Sequence, residues 1–280
     1  MELRGVGRDQ FVGNPPPDAG SRTYGGQLLA QSLRAAQATV SGDRAAHSLH
    51  SSFLHAGRAQ EPLQLRVERL RDGRSFSQRQ VIATQSGRPV LHSLISFHVP
   101  ASGLEWQPPV SFETDPPATG QPYVDYCDVI ESVLSKAEQP WSGRDRPMDV
   151  RYRNHPGQLD GQPVTETQEM WMRVHGPLDD DRSLSEVGIA YLSDLGMNPV
   201  ILLPHGRSWR DERVTEASLD HTIWFHRPAR ADHWLRYQQR AESTAGGRGL
   251  ATGRFYDVGG NLVATCAQEG LMRWNPQIAR

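Results

Sequence analysis

Asp194 is the first of three polar side chains in the second half of the chain that could carry chemistry. It lies at the end of a predicted helix, on the same stripe as Val187 and Tyr191, so it points along the apolar face of that helix. A carboxylate directed toward a core is costly unless it has a partner or a chemical use. The alternative is an aspartate that reaches solvent or caps the following turn, and the pattern favours neither.

The other two are Gln268 and Ser218. Gln268 is in the middle of a predicted strand, on the apolar face that also carries Cys266 and Met272. An amide there needs hydrogen-bond partners, and the pattern alone favours a structural bond to the backbone. Ser218 is on the less apolar face of its strand, together with Asp220. Either this strand contains a bulge, or both of its faces are covered.

A fourth candidate is the predicted helix start at Gly25, Gly26 and Gln27. Unpaired backbone N–H groups at a helix N-terminus suit an anion or a carbonyl oxygen, and glycine allows a ligand to approach closely. The same glycines would also let the helix start pack tightly against a sheet. We predict that these three residues bind substrate.

Signatures of other chemistries are missing from the sequence. It has no G-x-S-x-G, P-loop, H-E-x-x-H or paired C-x-x-C motif, and its two cysteines do not make a disulfide framework. His47 and His50, and likewise His221 and His226, fall on opposite faces of their strands, which argues against a shared metal. Asp220 and His221 are adjacent, so their side chains point apart and a structural role is favoured. We expect no metal and no cofactor.

Composition restricts the class of protein. The net charge of -2 does not favour a nucleic acid as partner. No stretch approaches the roughly 18 apolar residues of a membrane span. Residues 1–18 contain no apolar targeting segment, so a soluble cytoplasmic protein without a membrane span is expected.

The elements that must position these residues follow one order in both halves. In the first half, helical spacing predicts a helix over residues 24–40, and alternation predicts strands over 47–54, 63–70, 75–84 and 89–99. The second half predicts strands over 148–153 and 166–174, then a helix over 183–195 that opens with a capping box of Ser183 and Glu186. Further strands are predicted over residues 215–225, 234–243, 249–256 and 261–273.

The two halves also match residue by residue, with His50 aligned to His221 and Val90 to Val263. We therefore predict an α+β fold with an N-terminal domain at 1–100, a proline-rich linker at 101–146 with a covering helix over 124–137, and a C-terminal domain at 147–280. In each domain a long antiparallel sheet wraps around a central helix. Such a tandem, or double, hotdog closes on itself as a pseudo-dimer.

Five segments together resemble the acyl-CoA thioesterase II family. They are YGGQLLAQ at 24–31, HSLHSSFL at 47–54, LRDGRSFS at 70–77, LDHTIWFHRP at 219–228 and QEGLMR at 268–273. The resemblance implies a double hotdog that hydrolyses fatty acyl-CoA to free acid and CoA and assembles as a homo-oligomer. It also implies that Asp194, Ser218 and Gln268 hold and polarise a water, with no covalent intermediate. Many members of the family carry threonine at the position of Ser218.

The repeat places Ile95 where the second half has Gln268, which suggests that the N-terminal half kept the fold and lost the site. Two other functions are weighed against hydrolysis. A hotdog enoyl-CoA hydratase or dehydratase needs an aspartate and a histidine that face one pocket, and Asp220 with His221 is the local candidate. A non-catalytic acyl-CoA binding protein would lack at least one of the three water-holding residues Asp194, Ser218 and Gln268.

Overall fold

The computed structural model describes residues 2–15, 22–110, 116–117, 124–125, 147–153, 162–165, 167–208 and 211–278. The predicted covering helix over 124–137 falls mostly outside the described residues. Its first two residues, Val124–Asp125, pair as a strand with Arg151 and Tyr152, so the prediction of a helix is wrong for that dipeptide.

The first half is a hairpin, a helix and four longer antiparallel strands, and its helix α1 spans Gly25–Gln37. The apolar stripe of α1 is confirmed, because Leu28, Leu29 and Leu33 are buried. The four strands predicted after the helix are confirmed within a few residues at each end, but the prediction of a meander is wrong, because the first of them pairs with the last and not with the second. The strands are β1 Leu3–Gly7, β2 Gln10–Gly13, β3 Ala45–Phe53, β4 Leu63–Asp72, β5 Phe76–Gln85 and β6 Arg88–His98.

The second half has two helices, α2 at Arg182–Ser193 and α3 at Met197–Leu202, and a 3-10 turn at Leu203–His205. The predicted strand over 215–225 is split in two, as β10 and β11. The strands are β7 Val124–Asp125, β8 Met148–Tyr152, β9 Gln168–Val174, β10 Val214–Ser218, β11 Asp220–Phe225, β12 Leu235–Ala245, β13 Arg248–Tyr256 and β14 Leu262–Trp274.

The described strands form one antiparallel sheet of 14 strands in the order β1-β2-β4-β5-β6-β3-β11-β14-β13-β12-β9-β8-β7, and β10 also pairs with β14. The two halves join at the centre, where β3 pairs with β11. Helices α1 and α2 pack antiparallel against each other, since Gln37 donates to the Ser183 carbonyl at one end and Gly26 donates to Asp194 at the other. A sheet that wraps a pair of central helices is the double hotdog, so the predicted fold class is confirmed.

The predicted capping box at Ser183 is wrong. Helix α2 is capped by Asp181, whose carboxylate accepts a hydrogen bond from the Ser183 N–H at 2.8 Å. Glu186 does not bond to the backbone N–H of Ser183, although its Oε1 accepts from the Arg182 side chain in the first turn at 2.9 Å. Its carboxylate accepts from the Ala46 N–H and from the Gln37 amide instead, because these donors of the first half line the buried face of α2.

By length and composition alone, the stretch Arg182–His205 could cross a membrane. The chain reverses within it at Gly196, whose φ of 82° is in the left-handed region that favours glycine. The apolar window is 72% buried inside the fold. This stretch is therefore the packed centre of the second half, and no other helix among the described residues passes the same test.

Candidate active site

Asp194 lies where the C-terminus of α2 meets the N-terminus of α1. It is the C-cap residue of α2, and its Oδ2 accepts a hydrogen bond of 3.0 Å from the backbone N–H of Gly26 in the first turn of α1. A Cβ at Gly25 would be 2.8 Å from Asp194 Oδ2, and a Cβ at Gly26 would clash with the Tyr191 carbonyl oxygen. Both glycines are therefore required by the close approach of the helices, and Asp194 points inward.

Burial raises the pKa of Asp194 to about 6. The residue keeps some exposed surface, but its carboxyl group is enclosed. The C-terminal end of α2 disfavours the negative charge as well, whereas the N–H groups of Gly26 and Gln268 lower the pKa and offset part of the burial. Near neutral pH the carboxylate is thus ionised and remains basic enough to take up a proton.

The carbonyls around Asp194 are held by side chains that the sequence analysis did not single out. The end of a helix leaves backbone carbonyls without partners in the helix, and a buried end must satisfy them from elsewhere. Three donors do so here. They are Tyr24 Oη to the Tyr191 carbonyl at 3.0 Å, Tyr237 Oη to the Ser193 carbonyl at 2.6 Å and Gln239 Nε2 to the Leu195 carbonyl at 2.6 Å.

Gln268 and Ser218 are brought together on the concave face of the sheet. Gln268 Nε2 donates to Ser218 Oγ at 3.0 Å and to Asn198 Oδ1 at 3.2 Å. Asn198 Nδ2 also donates to Ser218 Oγ, at 3.3 Å. Since the Ser218 oxygen accepts both bonds, its own hydroxyl proton is free to be donated to a further group. Gln268 also lowers the pKa of Asp194, so its amide is near that carboxylate as well as bonded to Ser218.

A bulge between β10 and β11 explains why Ser218 lies on the same face of the sheet as Gln268. Ser218 pairs with Gly270 and Thr222 pairs with Ala267, so this strand advances four residues while β14 advances three. The Leu219 N–H donates to the Glu269 carbonyl inside the bulge. The extra residue turns Ser218 to the same side as Gln268. The sequence pattern required either a bulge in this strand or a cover on both of its faces, and the bulge is confirmed.

His221 fixes the orientation of the Gln268 amide. Its Nδ1 lies 2.5 Å from Gln268 Oε1 and its Nε2 lies 2.9 Å from Ser193 Oγ. Since an amide oxygen only accepts, His221 donates from Nδ1, and Nε2 of the neutral ring is an acceptor that shares the Ser193 hydroxyl proton with the Ala190 carbonyl, 2.9 Å from the same oxygen. Burial lowers its pKa to about 4, so the ring is neutral. Asp220 points away, and its carboxylate accepts from the Glu269 N–H. The prediction that these two neighbours point apart is confirmed.

Asn198 was missed because α3 itself was not predicted. The helix packs on β12, β13 and β14, and Asn198 reaches over Gly270, where a Cβ would clash with its Oδ1. The glycine of the segment 268–273 is the sequence signal that could have indicated a polar group above this strand.

The corresponding place in the first half is closed by other side chains. Leu49 pairs with Ile95 between β3 and β6, and both are fully buried. Arg79, which pairs with Ile95 from β5, is buried and bonded to Thr39 and to the Asp72 carboxylate. No amide and no free carboxylate occupies this place. Among the described residues, no group of three or more His, Cys, Asp or Glu side chains could hold a metal ion.

The fold and the site define a double hotdog protein with a polar cluster at the junction of its two helices. Two family models match the chain, the acyl-CoA thioesterase N-terminal domain over residues 14–98 and the C-terminal domain over residues 113–272. The chain belongs to the acyl-CoA thioesterase II family, and it is a thioester hydrolase.

Individual proteins agree with this assignment. The chain is 35% identical to acyl-CoA thioesterase 2 of Haemophilus influenzae, over 92% of this chain and 90% of that protein. The crystal structure of an acyl-CoA thioesterase II, TesB2, from Mycobacterium marinum is similar with a TM-score of 0.75 and 33% identity, over 100% of this chain and 97% of that one. A hotdog protein of unknown function from Alicyclobacillus acidocaldarius has a TM-score of 0.76 at 21% identity, over 98% and 96%, which supports the fold alone.

Proposed function

We propose that the protein hydrolyses the thioester of acyl-CoA with a water molecule held by Asp194, Ser218 and Gln268, without a covalent intermediate. The observation that carries this proposal is the convergence of the three side chains. Gln268 is bonded to Ser218 at 3.0 Å and also lowers the pKa of the Asp194 carboxylate. A thioester is a good electrophile, so a positioned water and a base are sufficient.

Asp194 acts as the general base. It takes a proton from the water as the oxygen attacks the thioester carbonyl carbon, and the tetrahedral intermediate then releases CoA as a thiolate. The protonated Asp194 can return its proton to that sulfur. A group with a pKa of about 6 suits both transfers, because it lies near the working pH.

Ser218 and Gln268 orient the water. The free hydroxyl proton of Ser218 is the donor that we assign to the water oxygen, and Gln268 and Asn198 fix the position of this hydroxyl. His221 prevents the Gln268 amide from rotating, because its ring N–H holds the amide oxygen on the other side. Arranged in advance, such groups need no reorganisation during the reaction.

The helix start supplies the donor for the developing oxyanion. Of the three residues predicted to bind substrate, Gly26 gives its N–H to Asp194 and Gln27 gives its N–H to the Tyr24 carbonyl. Gly25 is therefore the residue whose N–H we assign to the thioester oxygen. The charge that develops there is favoured by the N-terminus of α1.

Each chain has one working site in this proposal. Ile95 is apolar at the place in the first half that corresponds to Gln268, and Leu49, which pairs with it across the sheet, is apolar as well. A hydratase is disfavoured by the opposed directions of Asp220 and His221, which bond to different partners. The division of the chain at residues 100 and 147, a cytoplasmic location and a homo-oligomeric state stay predictions.

The test is thiol release from acyl-CoAs of graded chain length, followed with a thiol reagent. The wild-type protein is expected to hydrolyse them, and Asp194→Ala is expected to lose at least about a hundredfold in kcat. The variant Glu212→Ala removes an exposed carboxylate from a loop and is the control. Full activity in Asp194→Ala would refute the assignment of the base.

A further inference from the structure

Glu216 is a half-buried residue beside the site, with an enclosed carboxyl Oε2, that the mechanism above does not use. It lies on β10 two residues before Ser218 and pairs with Met272, as Ser218 pairs with Gly270. Residues two apart on a strand share a face, so Glu216 is on the concave face with Ser218 and Gln268. Met272 beside it is buried and apolar.

The carboxylate of Glu216 lacks the partners that such a group requires. Its Oε2 is buried and has no hydrogen-bond partner among the residues that the structure describes. It is the only carboxylate oxygen among the buried, unpartnered side-chain atoms of that part of the chain. Burial, and then the negative charge of Asp194, raise the pKa of Glu216 to about 7. Leaving a buried polar group without a hydrogen bond costs free energy. We therefore expect a polar group of a ligand to form the missing hydrogen bond with Glu216.

We propose that Glu216 recognises the amide group of the pantetheine arm that follows the thioester sulfur of the substrate. This inference rests on the proposed function, because the position of Ser218 relative to the thioester sets the position of Glu216 relative to the arm. It assigns the thiol arm, and not the acyl chain, to the β10 side of the site.

The acyl chain and the pantetheine arm of the substrate differ in the groups that they could offer to Glu216. An acyl chain is hydrocarbon and offers nothing to a buried carboxyl group. The pantetheine arm carries an amide one ethylene unit from the sulfur, with an N–H that donates and a carbonyl that accepts. A carboxyl group with a pKa of about 7 can serve either partner, as acceptor when ionised and as donor when protonated.

The spacing along β10 also fits. Alternate residues of a strand are separated by roughly 7 Å. A thioester whose carbonyl carbon lies next to the water held by Ser218 therefore brings the group beyond the ethylene unit to about the level of Glu216. At the start of β10, beyond Glu216 as seen from Ser218, Val214 pairs with Trp274. Trp274 is exposed, so the arm would continue outward to solvent.

A matched pair of short substrates tests this proposal. One is an acyl thioester of N-acetylcysteamine, which keeps the amide, and the other is the same acyl group on an alkanethiol of equal length, which lacks it. The wild-type protein is expected to prefer the first by about tenfold or more in kcat/KM. Glu216→Ala is expected to abolish this preference, and the nearly isosteric Glu216→Gln to keep part of it. Thr215→Ala, on the outer face of the same strand, is the control and is expected to keep the whole preference.

The possible outcomes separate this inference from the proposed function. Absence of the preference in the wild-type protein overturns the inference, whichever variants fold. An equal loss on both substrates in Glu216→Ala also overturns it, because that result indicates a general structural role. A preference that disappears in Glu216→Ala and persists in Thr215→Ala supports it. If the wild-type protein fails to hydrolyse acyl-CoA itself, the proposed function fails, and this inference fails with it.

Discussion

Gly26 donates its backbone N–H to the Asp194 carboxylate across 168 positions of sequence, and this bond joins the two halves of the chain at the proposed base. The N-terminus of one central helix thus stabilises a charge that the C-terminus of the other disfavours. The site consequently requires both hotdog units, although its side chains come from the second.

The contact between the two helices predicts that a methyl group added at Gly26 lowers both activity and stability. Gly26→Ala would place a Cβ against the Tyr191 carbonyl and push the helices apart, so we expect a loss of kcat of at least about tenfold and a lower Tm. Thiol release and thermal unfolding measure the two effects. Gly42→Ala adds the same methyl group where no heavy atom lies within 4 Å, and it should change neither. Equal behaviour of the two variants would contradict the account of the junction.

Activity is expected to depend on pH through Asp194. Because the base must be ionised, kcat/KM should fall about tenfold for each pH unit below about 6, the pKa to which burial raises this carboxyl group. His221 cannot produce that inflection, since its pKa is lowered to about 4. The pKa of the neighbouring Glu216 is raised to about 7, so the same profile in Glu216→Gln is the control, and the inflection near pH 6 should remain in that variant. A pH–rate profile of the wild-type protein is the measurement. A profile that stays flat from about pH 7 down to about pH 5 would exclude Asp194 as the base.

The same ionisation should destabilise the fold. The pKa of Asp194 is raised from 3.8 to about 6 on folding, so its contribution to stability is present below about pH 4 and is lost as the pH rises through about 6. Asp194→Asn should therefore raise the free energy of unfolding at about pH 8, by at most about 3 kcal/mol, while it abolishes activity. Urea unfolding at about pH 8 and about pH 4 checks this. A variant less stable than wild type at the higher pH would show that the charge is well compensated.

Ser218 and threonine should be interchangeable, because the hydroxyl is the part of the side chain that the mechanism uses. We expect Ser218→Thr to stay within about threefold of wild type and Ser218→Ala to lose about tenfold to a hundredfold in kcat. Steady-state thiol release distinguishes the two. If Ser218→Ala keeps full activity, the hydroxyl does not position the water.

His221 should act through Gln268, without contact with the substrate. His221→Ala leaves the amide oxygen of Gln268 unbonded, so we expect kcat to fall about tenfold or more with KM nearly unchanged. The inflection near pH 6 should remain, since it belongs to Asp194. Loss of that inflection in the variant would instead identify His221 as the titrating base.

Much of the fold follows from local patterns. The stripe of Leu28, Leu29 and Leu33 predicts α1, and alternation predicts the strands, because one face of each element is buried. The order of the strands was not predicted, since the first strand after α1 pairs with the last strand of that half. The hairpin β1–β2 was not predicted. Its residues are mostly exposed, and it is ordered by pairing with β4, a contact that no local pattern contains.

The candidate site was less accessible to such reasoning. Periodicity alone placed Ser218 on the face of the sheet opposite to Gln268. The extra residue at Leu219 changes which face each preceding residue of the strand occupies, and a regular alternation does not contain it. Asn198 lies on a short helix with a proline in it, and its role depends on the space above Gly270. The resemblance to a family supplied Asp194, Ser218 and Gln268 as a set, and geometry adds His221 and Asn198 to them.

The most direct test of the central claim is a single turnover of acyl-CoA in water labelled with heavy oxygen, with mass spectrometry of both the fatty acid and the protein. Attack by a water that Asp194 activates predicts that the label enters the fatty acid and that the peptide containing Asp194 stays unlabelled. An unlabelled fatty acid together with label in the Asp194 carboxylate would show that this side chain is a covalent nucleophile and would contradict the account.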